Sequence, residues 1–148
     1  MKEMSVKVKI KKLDERAVVP TYGTEDAAGF DFYAIEDVTI NAGETKLIKT
    51  GIAMAIPSGY EVQVRPRSGM SLKTSFRVAN APGTIDADYR GECNVIGNNI
   101  HAVSPIEIKA GDRVAQGVLN KVPQASFEVV DELDDTARGT GGYGSTGQ

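Results

Sequence analysis

Gly83-Thr84-Ile85-Asp86-Ala87-Asp88-Tyr89-Arg90-Gly91-Glu92 is the most chemically dense stretch of the chain. It sets three carboxylates, an aromatic ring and an arginine within ten residues, with glycines at its opening and near its close. Asn80-Ala81-Pro82-Gly83 just ahead is turn chemistry, because proline fixes φ and glycine admits positive φ. Thr84-Ile85 before the charged residues and Cys93-Asn94-Val95-Ile96 after them have the character of strands. The stretch therefore reads as a β-hairpin holding Asp86 beside an aromatic ring and next to an apolar residue. An acidic surface loop fits these ten residues equally well, so the choice falls to the rest of the chain.

Upstream, Val6, Val8 and Ile10 alternate with lysines, the period of a half-buried strand, and Lys7 to Lys12 form its solvated face. Pro20-Thr21-Tyr22-Gly23 is a turn, and Ala27 to Ala34 opens a strand whose single charge, Asp31, lies between Phe30 and Phe32. Val38–Ile40, Leu47–Ile56 and Tyr60–Val64 read as further short strands, parted by Asn41-Ala42-Gly43-Glu44 and Pro57-Ser58-Gly59. Ile40-Asn41-Ala42-Gly43-Glu44 has a near copy at Ile108-Lys109-Ala110-Gly111-Asp112, the same turn used twice. Short β runs with turn signals every ~8–12 residues predict an all-β sandwich or barrel. Helical periodicity is nowhere sustained. One short helix is expected after Ser68, covering about Met70–Thr74.

Arg65-Pro66-Arg67-Ser68-Gly69 joins two guanidiniums, a hydroxyl and a flexible glycine, a set that suits polyanion binding; a basic turn without a ligand is the other reading. In Gly111-Asp112-Arg113-Val114-Ala115-Gln116, Asp112 and Arg113 are read as securing the turn and Gln116 as facing a ligand. From Asp131 the composition changes. Asp131-Glu132-Leu133-Asp134-Asp135 is acidic, and Arg138 to Gly147 holds five glycines. Such a tail cannot bury enough apolar surface to order itself. It contains Gly-x-Gly-x-x-Gly from Gly139 to Gly144, but with no strand before and no helix after, the dinucleotide fingerprint fails. Arg138, dense backbone N–H groups, Ser145 and Thr146 would instead make a wrap for a triphosphate.

The chain has 148 residues, enough for one domain with its own core, and the division expected is a β domain over 1–130 and an arm over 131–148. A formal charge of −3 argues against non-specific binding to nucleic acid or membrane. No apolar run reaches the length of a membrane span, and the lysine-rich start lacks a signal-peptide apolar region, so a cytoplasmic protein is expected. Cys93 and His101 are each single, which excludes an intrachain disulfide and a Cys/His zinc site. Chemistry here falls to carboxylates, hydroxyls, arginines and a recruited ion.

Asn80-x-x-Gly83-x-Ile85-Asp86-x-x-Tyr89-Arg90-Gly91 resembles the nucleotide-binding hairpin of the trimeric dUTP diphosphatases (dUTPases), and all five motifs of that family occur in order between about Ala27 and Gly147. The resemblance implies a β jelly roll (dUTPase-like β-clip) with one short helix, assembled as a homotrimer whose active sites are shared between subunits and closed by a flexible glycine-rich C-terminal arm. It implies Mg²⁺-dependent hydrolysis of dUTP to dUMP and pyrophosphate by water attack on the α-phosphorus. Asp86 would then be the general base, with Asp88, on the opposite strand face, the less suitable one. Asp31 would touch the metal through water. Arg67, Ser68 with Gly69, Gln116 and Arg138 would stabilise phosphate oxygens. Backbone groups of Gly83, Thr84 and Ile85, with the Asn80 side chain, would read uracil, and Tyr89 would pack on the deoxyribose. In the arm, Gly142, Tyr143, Gly144 and Ser145 would close over the nucleotide, Tyr143 stacking on the base. Thr84 and Tyr143 depart from the family's commoner aliphatic and Phe. The rival readings are a dCTP deaminase of the same fold, whose glutamate would fall where Ile96 stands, and a dUTPase-like regulatory protein binder.

Overall fold

The computed structural model describes residues 5–147; Met1–Met4 and Gln148, which the expected domain division includes, lie outside the described residues. Twelve strands and one helix follow in the order β1 Lys9–Lys12, β2 Thr21–Tyr22, β3 Phe30–Tyr33, β4 Val38–Ile40, β5 Thr45–Ile48, β6 Ile52–Ala55, β7 Tyr60–Arg65, α1 Ser68–Lys73, β8 Phe76–Val78, β9 Gly83–Ile85, β10 Val95–Asn99, β11 Ile106–Ile108 and β12 Arg113–Lys121. The fold is the all-β jelly roll expected, with one short helix. The strands form a five-stranded sheet β2-β3-β12-β7-β9, a three-stranded sheet β5-β10-β8 and the pairs β1-β6 and β4-β11. One core draws on all four, from Phe32, Val62, Val64, Ile85 and Val114 on the large sheet to Ile48, Phe76 and Val95 on the smaller one. Among the described residues no helix is long and apolar enough to cross a membrane.

The repeated turn is confirmed in detail. Glu44 N–H donates to the Asn41 carbonyl at 2.9 Å and Asp112 N–H to the Lys109 carbonyl at 2.9 Å. Each carboxylate reaches back to the turn's first N–H, Asn41 to Glu44 Oε1 at 3.1 Å and Lys109 to Asp112 Oδ2 at 2.8 Å. Gly43 and Gly111 both take positive φ, 76° and 92°, where a Cβ would be strained. Their preceding strands, β4 and β11, pair with each other.

Four expectations are corrected. The strand predicted over Leu47–Ile56 is two strands broken at Gly51, whose φ of 69° leaves the β region. The N-terminal strand is confined to Lys9–Lys12, and the helix begins at Ser68, two residues earlier than expected. Most important for the site, the stretch around Asp86 is no paired hairpin. β9 forms the edge of the five-stranded sheet beside β7, whereas β10 lies between β5 and β8 in the other sheet. The chain crosses between sheets there, and the space between the two strands stays open.

Candidate active site

The crossing is shaped by the Tyr89-Arg90-Gly91 sequence itself. Tyr89 N–H donates to the Asp86 carbonyl at 3.1 Å, closing a turn with Asp at its first position, where that residue is favoured. The Tyr89 ring folds back over Gly91, where a Cβ would stand 2.6 Å from the ring's Cζ, and its hydroxyl donates to the Glu92 carbonyl at 2.9 Å. Arg90 Nη1 donates to the Ala87 carbonyl at 2.6 Å. Beyond the turn, Glu92 Oε2 accepts the Gly51 N–H at 2.8 Å, and Thr50 Oγ1 donates to the Cys93 carbonyl at 2.5 Å. The break at Gly51 is thus the clamp that fixes the far end of the crossing. Burial, with the Glu92 charge beside it, pushes the Cys93 thiol up to about 11.

Between β9 and the start of β10 lies a cavity of about 380 Å³, lined by six predicted residues: Asn80, Gly83, Thr84, Ile85, Asp86 and Tyr89. Leu47, Val64 and Ile96 supply apolar wall. A larger cleft of about 910 Å³ opens on the other side of the same turn, against Glu61, Asp88 and Arg90. Asp86 and Thr84 line both spaces, and Asp88 only the outer one. Asp88 is set apart by this turn, not by strand alternation. Among the described residues, the Asp86 carboxylate has neither a hydrogen bond nor an ion pair, so its lone pairs are free for water.

A second cluster sits on the five-stranded sheet. Asp31 on β3 stands opposite Gln116 on β12, and Gln116 stands opposite Arg65 on β7. Asp31 is no solvent-facing charge: its side chain is only 13% exposed and it pairs with Arg67 at 3.4 Å and Arg113 at 3.7 Å. Gln116 Nε2 donates to the Pro66 carbonyl at 3.0 Å, holding the Arg65-to-Gly69 segment against β12. A Cβ on Gly29 would lie 3.1 Å from Gln116 Cβ and run into its Oε1, so a side chain there would displace the Gln116 amide. Arg113 does not secure the turn before it. Asp112 does so, with Asp37 Oδ1 accepting the Ala110 N–H at 2.9 Å, while Arg113 reaches Asp31. No cluster of three or more His, Cys, Asp or Glu side chains that could cage a metal occurs among the described residues.

The third group of predicted residues stands apart. The hydrogen bonds of residues 136–147 are local: Arg138 Nε to the Gly141 carbonyl at 2.8 Å, and Ser145 N–H to the Gly142 carbonyl at 3.0 Å. Tyr143 is fully exposed, with φ of 51°. Arg138, Gly142, Tyr143, Gly144 and Ser145 line neither space beside Asp86, and neither do Arg67, Ser68, Gly69 or Gln116.

The model of one protein family, described as dUTPase, matches residues 15–147. The chain belongs to the dUTPase family. It is 54% identical over 143 residues to the deoxyuridine 5'-triphosphate nucleotidohydrolase of Nautilia profundicola, covering 97% of this chain and all of that one. It is 52% identical to the enzyme of the same name from Helicobacter hepaticus, covering 99% of this chain and 91% of that one. Among solved structures, a Staphylococcus bacteriophage 80alpha dUTPase mutant with dUpNHpp superposes with a TM-score of 0.91 at 26% identity, over 97% of this chain and all of that one. A mutant dUTPase from phage phi11 of S. aureus, with a structural Mg(II) ion, gives 0.80 at 26% identity over 86% of this chain and 98% of that one. Sequence reasoning assigns Arg113 to the turn and not to Asp31, and does not bring Leu47, Val64 and Ile96 together as a cavity wall. Cross-strand pairing of Ile96 with Leu47 is a signal that only the register reveals.

Proposed function

We propose that the chain hydrolyses dUTP to dUMP and pyrophosphate, with a water oriented and deprotonated by Asp86 attacking the α-phosphorus. The observation that carries this reading is the unpartnered Asp86 carboxylate at the rim of the β9–β10 cavity, beside Tyr89 and Thr84. A general base needs lone pairs free to take a proton, and Asp31, held by two guanidiniums, lacks that freedom. Uracil enters the cavity between Asn80, Gly83, Ile85 and the start of β10, with Tyr89 under the deoxyribose. Arg67, Ser68, Gly69 and Gln116 receive the phosphates, joined by Arg138 and Ser145. Tyr143, flanked by Gly142 and Gly144, covers the base.

The donor set fits a cation brought in with the triphosphate and not one caged by protein, since no three His, Cys, Asp or Glu side chains cluster among the described residues; Asp31 would touch it through water. Mg²⁺ held in this way offsets the charge of the phosphates. We further propose a cytoplasmic homotrimer with shared sites, the residues 1–130 forming the body and 131–148 the closing arm. The support is that the three groups of site residues stay apart in one chain, while Phe127 and Val129 ahead of the arm are more than 80% exposed.

The deaminase reading loses support from Ile96, which puts an aliphatic side chain in the cavity wall where a carboxylate would be needed. The test is pyrophosphate release from dUTP, dCTP, dTTP and UTP in parallel, with ammonia followed for dCTP. Pyrophosphate from dUTP alone is expected. Ammonia from dCTP, or equal turnover of dTTP, would overturn the assignment.

A further inference from the structure

The antiparallel ladder between β12 and β3 runs Gly117 to Phe30, Gln116 to Asp31 and Ala115 to Phe32, then shifts so that Arg113, not Val114, faces Tyr33. Val114 is the extra residue of a β-bulge, and it is fully buried. In an unbroken ladder Arg113 would stand opposite Ala34 on the core face, and Val114 would point to the polar one. The bulge therefore puts Arg113 and Gln116, three residues apart, on the same face as Asp31. Arg67 Nη1 also donates to the Arg113 carbonyl at 3.4 Å, so the two arginines are tied to each other as well as to Asp31.

We propose that Arg113 is a further substrate-binding residue, contacting the terminal phosphates of the triphosphate beside Arg67; this rests on reading the face of Asp31, Arg67 and Gln116 as the polyphosphate site. Two guanidiniums share one carboxylate there, which leaves a positive charge unneutralised at a spot that a bulge was needed to furnish. Asp31 uses only part of the five N–H donors that each arginine carries, and the Arg113 side chain is 49% exposed, open to an incoming anion. Asp31 acts as the positioning residue that keeps both forks in place before the nucleotide arrives. Guanidinium forks match phosphate oxygens two at a time, so lysine would replace arginine only in part.

The experiment measures the affinity of the full-length protein for dUpNHpp and for dUMP, with thermal midpoints, in Arg113→Gln, Arg113→Lys and Arg67→Gln. Arg113→Gln should bind dUpNHpp about tenfold more weakly or worse, as expected for a lost charge-assisted contact. Its dUMP affinity should stay within about twofold, because dUMP lacks the phosphates in question. Its midpoint should not move, and Arg113→Lys should recover part of the loss. Equal weakening toward both ligands, or a lowered midpoint, would make Arg113 structural and overturn the proposal. Unchanged dUpNHpp affinity in Arg113→Gln with a loss in Arg67→Gln would overturn it alone. Unchanged affinity in both would remove the polyphosphate reading of the whole face.

Discussion

The loop from Asp86 to Glu92 and the arm from Arg138 to Gly147 are both polar and punctuated by glycine, and they are held in opposite ways. The loop is bound to the body at both ends, by β9 pairing on one side and the Glu92 and Cys93 contacts to Thr50 and Gly51 on the other. Its one aromatic ring lies against its own Gly91. The arm's hydrogen bonds turn back on the arm, and its one aromatic ring has nothing of its own to cover. Composition alone does not separate the two. What separates them is whether apolar and backbone partners exist within the same chain, and where they do not, a ligand or a neighbouring copy has to supply them.

That contrast is sharpest in Asp86→Asn. The loop is fixed by contacts that do not involve the Asp86 carboxylate, so the fold and nucleotide binding should persist while turnover falls ~10²–10⁴-fold, the range for loss of a general base. Steady-state pyrophosphate release with a thermal midpoint checks it, and a drop in the midpoint would mean that the loop depends on this side chain. Removal of residues 138–148 tests the other side. Activity should collapse with the midpoint unmoved, since the removed segment has no hydrogen bonds to the body among its described residues. A large loss of stability would show that the arm is finished by its own chain after all.

Smaller effects follow at the aromatic ring. Tyr143→Ala should weaken binding by ~1–3 kcal/mol if the ring stacks on a base. The chain has no Trp, so Tyr143→Trp supplies a single indole. Its fluorescence should respond to dUpNHpp with Mg²⁺ and much less to dUMP; an indole blind to both would detach the arm from the site. An effect on stability alone concerns the clamp. An unfolded thiol ionises at about 8.5 and Cys93 in the fold at about 11, so the folded state keeps its proton through that window. Stability should therefore fall as pH rises from about 8.5 to 11, and Cys93→Ala should remove that part of the slope. An identical slope in both proteins would place the thiol outside the core.

Much of this is legible in the residues. Val38–Ile40 and the paired turns at Gly43 and Gly111 are fixed by nearest neighbours and match the structure to the residue. The cavity residues Asn80 to Tyr89 are legible because they lie within ten positions of one another. The bulge at Val114, the break at Gly51 and the crossing between β9 and β10 are not. Each depends on which strand lies alongside, a long-range fact that period-two patterning does not carry. Arg113 escapes a sequence reading for that reason, since counting along an unbroken strand turns it the wrong way. The arm is legible as unable to cover itself, and Tyr143 stays fully exposed among the described residues.

Complementation tests whether a site takes its base from one chain and its arm from another. Asp86→Asn with its arm intact is to be co-refolded with the protein lacking residues 138–148, each inactive alone. Random assembly of shared sites should restore roughly a quarter of the activity of the unaltered protein, since half of the loops and half of the arms are competent. Activity no higher than that of the two variants measured separately would place loop and arm of one site in the same chain.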